Sequence, residues 1–513
     1  MRTKTRRRSP PVIASLAAMA LLGLALRTGA QPPEQPAVPL AEPLANSPAE
    51  PPAAQKPALG LTLQAFARLA PLRPAAFAAQ WQALLDEDLS RLASAPEPAR
   101  MRQRFLWAQG RVMQPYFHWR DAPAAGPLQQ DPMLPLLLRE LPLRDARWWP
   151  LPEVQSFWRA WLHEQARALL ASSPDLRHGD ARWLRAELAA LERSGLPLPQ
   201  RRELMGRLLA EHVEDNGSQG LDPLLSAWRR LQAPAAEVAR LDEAVKASRA
   251  HDCCHESPVL RRWQGVDLRV HVLEPSGAAA SAATRPAMLW LHGGSFTQGQ
   301  WWHSPVISAA LRQQGVLVLA VELRTNSRFD TGPLEQLSDA SLAYDWLLRH
   351  AGRLRVDPQR IGVAGFSSGA VLALMAATHG LDTAPGQGPR PTTGRYPAAI
   401  ISLGGCADPL NPRKDGWFRR RVEAVGPPAH FSPMATVATG QPPLLALHGT
   451  ADEYCPFDDM ERFVAAYQAA GNAAELVAIE GAPHFFGFFH RPGQARMREA
   501  LAAALRRWGW IAE

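Results

Sequence analysis

Five residues, Gly365-Phe366-Ser367-Ser368-Gly369, lie between an apolar run at 360–364 that reads as a buried strand and a run at 370–377 that reads as a helix. Strand, G-x-S-x-G, helix is an arrangement that holds a serine on a tight turn, with glycines on both sides because the turn leaves no room for side chains. A hydroxyl held proud of a sheet edge is placed to attack a carbonyl carbon. The N–H of Ser368, at the helix start, is then aimed at the oxygen that becomes negative. Such a nucleophile needs a base, and the base needs an orienting acid. Asp452 follows an apolar strand at 443–447, in His448-Gly449-Thr450-Ala451-Asp452. His484 follows a strand at 476–479, in Gly481-Ala482-Pro483-His484. Taken singly, an Asp or His in such a loop reads as a solvated residue. In the order serine, acid, histidine, each just past a predicted strand, Asp452 reads as the orienting acid and His484 as the general base. Glu453 is the rival acid, adjacent but expected to point elsewhere. Upstream, a strand at 287–291 runs into His292-Gly293-Gly294-Ser295, where small residues let backbone N–H groups approach a carbonyl oxygen. The candidate oxyanion donors are therefore Gly293, Gly294, Ser295 and Ser368.

These residues need a sheet that brings distant loops to one edge. From Val266 onward, where 266–273 alternates as a strand, strand and helix signals take turns to the end of the chain, with helices expected near 302–314, 334–352, 458–470 and 494–508. That alternation predicts an α/β domain with a mostly parallel sheet covered on both faces. The interval 406–440, between two strands, reads as a cap or substrate-contact segment containing Trp417, Phe418, Arg419 to Arg421 and Phe431. Phe485, Phe486, Phe488 and Phe489 trail His484 and either line an acyl or aryl pocket or pack the last helix.

At these residues the sequence resembles the α/β-hydrolase superfamily, in its acetyl-esterase, feruloyl-esterase and hormone-sensitive-lipase-like branch. The resemblance runs from about Val266 to the C-terminus and takes in Val321-Glu322-Leu323-Arg324, Pro333-Leu334-Glu335, Asp339-Ala340 and Asp357-Pro358. Two departures concern the branch: its third glycine after the histidine is Ser295 here, and its usual aromatic between Glu and Arg is Leu323. The resemblance implies a cofactor-free serine esterase acting on short-chain carboxylic esters, acetyl or feruloyl esters on carbohydrate among them, through an acyl-enzyme. Two other readings stand beside it: a serine peptidase of the same fold, and a binding protein with a vestigial hydrolase domain.

At 513 residues, the chain has room for a second domain beside a hydrolase core. Residues 1–30 read as an export signal: a positive stretch around Arg6-Arg7-Arg8, an apolar run at 12–26, and the small residues Thr28-Gly29-Ala30. This segment is either cleaved, giving a periplasmic or secreted protein, or kept as an N-terminal membrane anchor. Residues 31–60 are Pro- and Ala-rich and read as a disordered spacer. Residues 61–250 read as a helical domain, and 251–513 as the hydrolase domain. A helix led by Asp180 carries Trp183, Leu184, Leu188 and Leu191 and stops at Gly195. Tryptophans of the helical part, Trp148-Trp149 among them, either pack its core or stack on a sugar. The net charge of +8 is spread along helices among acidic residues, with no basic-aromatic motif for nucleic acid. Of the four cysteines, Cys406 and Cys455 each follow a predicted strand and can pair. Cys253-Cys254, flanked by His251 and His255, are crowded on one loop without a second half-site, so no metal is expected.

Overall fold

The computed structural model describes residue 69, residues 74–121 and residues 141–512, except for 144, 178–180, 219–220, 232, 250–255, 277–283, 304, 382–395, 412–416 and 424–425. The expected export signal, the spacer, Asp180 and the Cys253-Cys254 cluster lie outside the described residues. The described residues form two compact units, divided between Ala168 and Leu169.

In the first unit the helices α1 (Pro74–Arg91), α2 (Glu97–Asp121) and the bulk of α3 (Pro152–Ser172) bury an aromatic core. Trp81 and Trp107 meet edge to face at 4.4 Å, and Phe105 meets Phe157 at 5.7 Å. Buried indoles need a partner for their N–H groups. Trp81 donates to the Trp107 carbonyl at 2.8 Å, and Trp107 donates to Asp88 at 2.9 Å. Trp81, Trp107, Trp148 and Trp158 are buried, so these four serve packing.

The second unit begins with helices, α4 (Arg182–Glu192), α5 (Leu198–Asn216), α6 (Asp222–Arg230) and α7 (Ala235–Arg249). The division at 168–169, rather than at 250, has a physical cause. Arg182 and Asn216 hydrogen-bond to residues 326, 327 and 330 of the α/β part, so this stretch packs with it.

Among the described residues eight strands follow: β1 (Val259–Trp263), β2 (Val266–Leu273), β3 (Arg285–Leu291), β4 (Leu317–Val321), β5 (Val356–Phe366), β6 (Ile400–Leu403), β7 (Leu444–Gly449) and β8 (Ala474–Ile479). They form one sheet in the order β1-β2-β4-β3-β5-β6-β7-β8. The pairs β1–β2 and β2–β4 are antiparallel, and every pair from β4–β3 through β7–β8 is parallel. All residues of β3 and β4 are buried, which is why these strands read as continuous apolar runs rather than alternating ones. One face is covered by α9 (Pro333–His350), α10 (Ser368–His379) and α11 (Phe457–Ala469), through Leu337, Leu347, Val371, Met460 and Phe463. The other is covered by α8 (Pro305–Gln313) and α12 (Arg491–Arg507), through Ile307, Leu311, Met497, Leu501 and Leu505.

A short helix, Trp417–Glu423, sends Phe418 and Val422 into the sheet core, and Phe431 joins them there. Of the trailing phenylalanines, Phe488 packs against the core. Phe486 is in the core, while Phe485 stays 36% exposed beside His484.

The strand registers place the candidate residues. Leu291 pairs with Gly365, Phe366 with Leu403, and Gly449 with Ile479. The loops that leave β3, β5, β6, β7 and β8 therefore emerge along one edge, the carboxyl ends of parallel strands, where open α/β sheets bind ligands.

Candidate active site

Ser367 stands between β5 and α10 with φ 53° and ψ −119°, a conformation that non-glycine residues rarely adopt. Its flanking glycines are required sterically: a Cβ on Gly365 would strike the Gly369 carbonyl, and one on Gly369 would strike the Leu291 carbonyl. The turn pushes Ser367 out of the sheet, and Ser368 begins a helix whose first N–H groups have no intrahelical acceptor.

His484 lies with Nδ1 2.7 Å from Asp452 Oδ2 and Nε2 3.0 Å from Ser367 Oγ. An ionised carboxylate only accepts, so Nδ1 carries the proton and donates it to Asp452, leaving Nε2 to accept from the Ser367 hydroxyl. Asp452 Oδ1 accepts in addition from the backbone N–H groups of Tyr454 at 2.9 Å and Cys455 at 2.7 Å. Glu453 does not reach the imidazole ring: its Oε2 accepts from the His484 backbone N–H at 3.3 Å. The three residues expected to act together thus form one hydrogen-bonded chain.

His448 was not singled out by sequence reasoning, although its spacing four residues before Asp452 was the available signal. It is fully buried, with Nε2 2.8 Å from the Cys455 carbonyl and 3.2 Å from Asp452 Oδ2. Both neighbours are acceptors, so Nε2–H donates between them. Burial pushes the Asp452 carboxyl up. Hydrogen bonds from His448 and His484, and the attraction of both imidazoles, outweigh it and hold the carboxyl well below the usual carboxylate range. Asp452 therefore stays ionised across the acid limb of the pH profile. The acid limb of a kcat/KM–pH profile should have unit slope, with activity falling as pH drops through one protonation, and a slope of two would show that Asp452 titrates alongside. His448→Ala removes a hydrogen bond to a charged acceptor, worth about 1.5–3 kcal/mol. It should lower kcat/KM by roughly tenfold or more, and a variant with parental kinetics would show that the backbone N–H groups suffice.

Cys406 and Cys455 form a disulfide with Cα atoms 4.7 Å apart, joining the loop after β6 to the loop that holds Asp452. Closing 49 residues stabilises the fold by about 4 kcal/mol in the chain-entropy view. Dithiothreitol should lower Tm by several degrees in the parent and not in Cys406→Ala/Cys455→Ala, as read by differential scanning calorimetry. Asp452, Cys455 and His484 place ligand-type atoms within 4.8 Å of one another. The Cys455 sulfur is bonded to Cys406, however, and the other two residues bond each other, so their geometry belongs to this hydrogen-bonded chain.

The turn after β3 faces Ser367. A Cβ on Gly293 would lie 2.8 Å from the Phe366 ring and 3.1 Å from the Ser367 Cβ, so the Gly293 backbone passes directly over Ser367. Gly294 follows at φ 122°, and Ser295, at φ 55°, is exposed. Burial pushes the His292 imidazole down to about 4, against the hydrogen bond to the Gly293 carbonyl that raises it, so it stays uncharged beside this turn at neutral pH.

Residues 275–400, which carry β3 to β5 with Ser367 and the glycine turn, match the family model BD-FAE. The C-terminal half of the chain is similar to α/β-hydrolases in this match and in its mostly parallel eight-stranded sheet flanked by helices. The chain is 31% identical over 220 residues to an ethyl acetate hydrolase of Pseudomonas putida, a match covering 39% of this chain and 65% of that protein. It is 24% identical over 241 residues to a probable isoprenylcysteine alpha-carbonyl methylesterase of Oryza sativa subsp. japonica, covering 43% of this chain and 56% of that one. The match thus spans just under two thirds of the first relative and little more than half of the second. Among solved structures, a thermophilic esterase of Thermogutta terrifontis with propionate bound overlaps 52% of this chain and 97% of its own, at 28% identity and a TM-score of 0.45. Aromatic rings stand around His484, with Tyr454 and Phe485 each 5.0 Å away and Phe366 at 5.1 Å between centroids.

Proposed function

We propose that this chain is an exported serine esterase that hydrolyses short-chain carboxylic esters through an acyl-enzyme. The observation that carries the reading is the continuous chain from Ser367 through His484 to Asp452, on a left-handed turn under the Gly293 backbone. Ser367 Oγ attacks the ester carbonyl while His484 Nε2 takes its proton, and Asp452 stabilises the imidazolium that forms. The N–H groups of Ser368 and of the Gly293–Gly294 turn receive the oxyanion. His484 then protonates the departing alcohol, and a water deprotonated by the same imidazole releases the acid. The alcohol leaves next to the aromatic rings of Tyr454 and Phe485, which suits an apolar or aryl leaving group. The names of the relatives, an ethyl acetate hydrolase and a methylesterase, support small ester groups. Export is supported by the charged and apolar segments of residues 1–30, and by a disulfide of the kind that persists in oxidising compartments.

The test is a series of p-nitrophenyl acetate, butyrate and octanoate with a chromogenic peptide beside them. Turnover that falls with acyl length is expected, and faster cleavage of the peptide than of any ester would overturn the assignment. Cell fractionation tests export, which fails if the protein stays in the cytoplasm at its full mass.

A further inference from the structure

The turn over Ser367 is strained, and the short segment after β4 that holds it is itself gripped by helices that precede the sheet. Ser295 and Phe296 both take left-handed φ values, 55° and 61°, immediately after Gly294. Each such L-residue costs about 1–2 kcal/mol, and a run of two persists only where its surroundings over-determine it. The Phe296 carbonyl accepts from the Asn326 N–H at 3.0 Å and from Gln336 Nε2 at 2.8 Å, and the Thr297 carbonyl accepts from the Ser327 N–H at 2.9 Å. The short helix Asn326–Phe329 is therefore the clamp on the strained turn.

That clamp is itself held by the helical segment. Arg182 at the start of α4, only 6% exposed, donates from Nε to the Asn326 carbonyl at 2.9 Å. One of its terminal nitrogens donates to Asn326 Oδ1 at 3.2 Å and Asp330 Oδ1 at 3.0 Å, so a single planar fork grips both ends of the clamp. The C-terminal end of α5 takes the other side of the same loop. The last carbonyls of a helix lack intrahelical donors. Here Asp215 O accepts from the Gly299 N–H at 2.9 Å, Glu214 O lies 3.2 Å from His303 Nε2, and Ser327 Oγ donates to Asn216 Oδ1 at 2.9 Å.

We propose that Arg182 is a positioning residue for the oxyanion turn, and that α4 and the end of α5 serve as its buttress. The inference rests on the esterase reading, in which the Gly293–Gly294 backbone donates to the oxyanion. It gives residues 182–216 a task in the reaction without contact with substrate. Loss of one oxyanion donor costs roughly 10²–10³ in kcat, and a donor that is misaimed costs less.

The experiment uses the full chain. Arg182→Ala should lower kcat on p-nitrophenyl acetate by roughly 10- to 100-fold per site titrated with a fluorophosphonate, a smaller loss than that of a whole donor. KM and the pH midpoint of the acid limb should be unchanged, because Ser367, His484 and Asp452 are untouched. Arg182→Lys, which can keep the ion pair with Asp330 but not the fork, should fall between parent and alanine, and millimolar guanidinium should restore part of the alanine variant's kcat. Amide hydrogen exchange at residues 293–299 should accelerate in Arg182→Ala, a readout that needs no turnover. Parental kcat per titrated site with parental exchange would overturn the proposal. So would a loss that disappears on normalising to titrated sites, which would mark a purely structural residue. If Arg182→Ala does not fold, Ser327→Ala decides: a severalfold fall in kcat supports the buttress and parental kcat refutes it. A parent that neither turns over esters nor reacts with the fluorophosphonate refutes the esterase reading instead, and the exchange comparison still judges the buttress.

Discussion

Ser367→Ala should lower hydrolysis of p-nitrophenyl acetate by roughly 10⁴- to 10⁶-fold, because every covalent step of the proposed mechanism passes through this oxygen. What remains is binding and oxyanion stabilisation without a nucleophile. The fold should hardly notice. Ser367 Oγ makes one hydrogen bond, to His484, while the turn is set by the backbone bond from the Ser367 N–H to the Leu403 carbonyl at 3.0 Å and by its two glycines. Tm within a few degrees of the parent, with loss of both turnover and fluorophosphonate labelling, is the expected pair of results. Turnover above one part in a thousand in the purified variant, checked against an active-site titration for contaminants, would remove Ser367 from the mechanism.

Asp452→Asn should lower kcat by roughly 10⁴-fold while the site keeps its shape. The amide oxygen can still accept from Tyr454 and Cys455, as the carboxylate does. The amide nitrogen then faces His484 Nδ1, where it donates instead of accepting. The imidazole must present an unprotonated Nδ1 to it, which puts the ring proton on Nε2, the nitrogen that should receive the proton of Ser367. The negative charge opposite the imidazolium is lost as well. Kinetics beside a structure of the variant separate the two effects. A variant with intact geometry and a loss under tenfold would show that Glu453 or His448 supplies what Asp452 is assigned.

The alternation of strand and helix from Val266 onward, the serine between two glycines and the order serine, acid, histidine were legible without coordinates. Each is written in a window of a few residues: the apolar period marks the element, and the steric demand of a tight turn dictates its glycines. The limits of elements were less legible. The strand read at 360–364 runs from Val356 to Phe366, because pairing with β3 and β6 extends it beyond its apolar run. The helix read from residue 302 begins at Pro305, whose fixed φ suits a first helical turn.

The sequence by itself determined which groups are present to do chemistry, and that a parallel sheet would carry their loops to one edge. Only the tertiary structure decided how they meet. The bond from Ser367 to His484 spans 117 residues and that from Arg182 to Asn326 spans 144, and no local pattern encodes separations of that size. The same holds for His448, whose proximity to Asp452 is visible as a spacing but whose donation between Asp452 and the Cys455 carbonyl depends on how the chain turns after β7. The helices α4 and α5 show the limit most plainly. Their apolar faces announce that they pack, but which loop they grip follows from the order β2-β4-β3-β5, which brings residues 293–303 and 326–331 together beneath them.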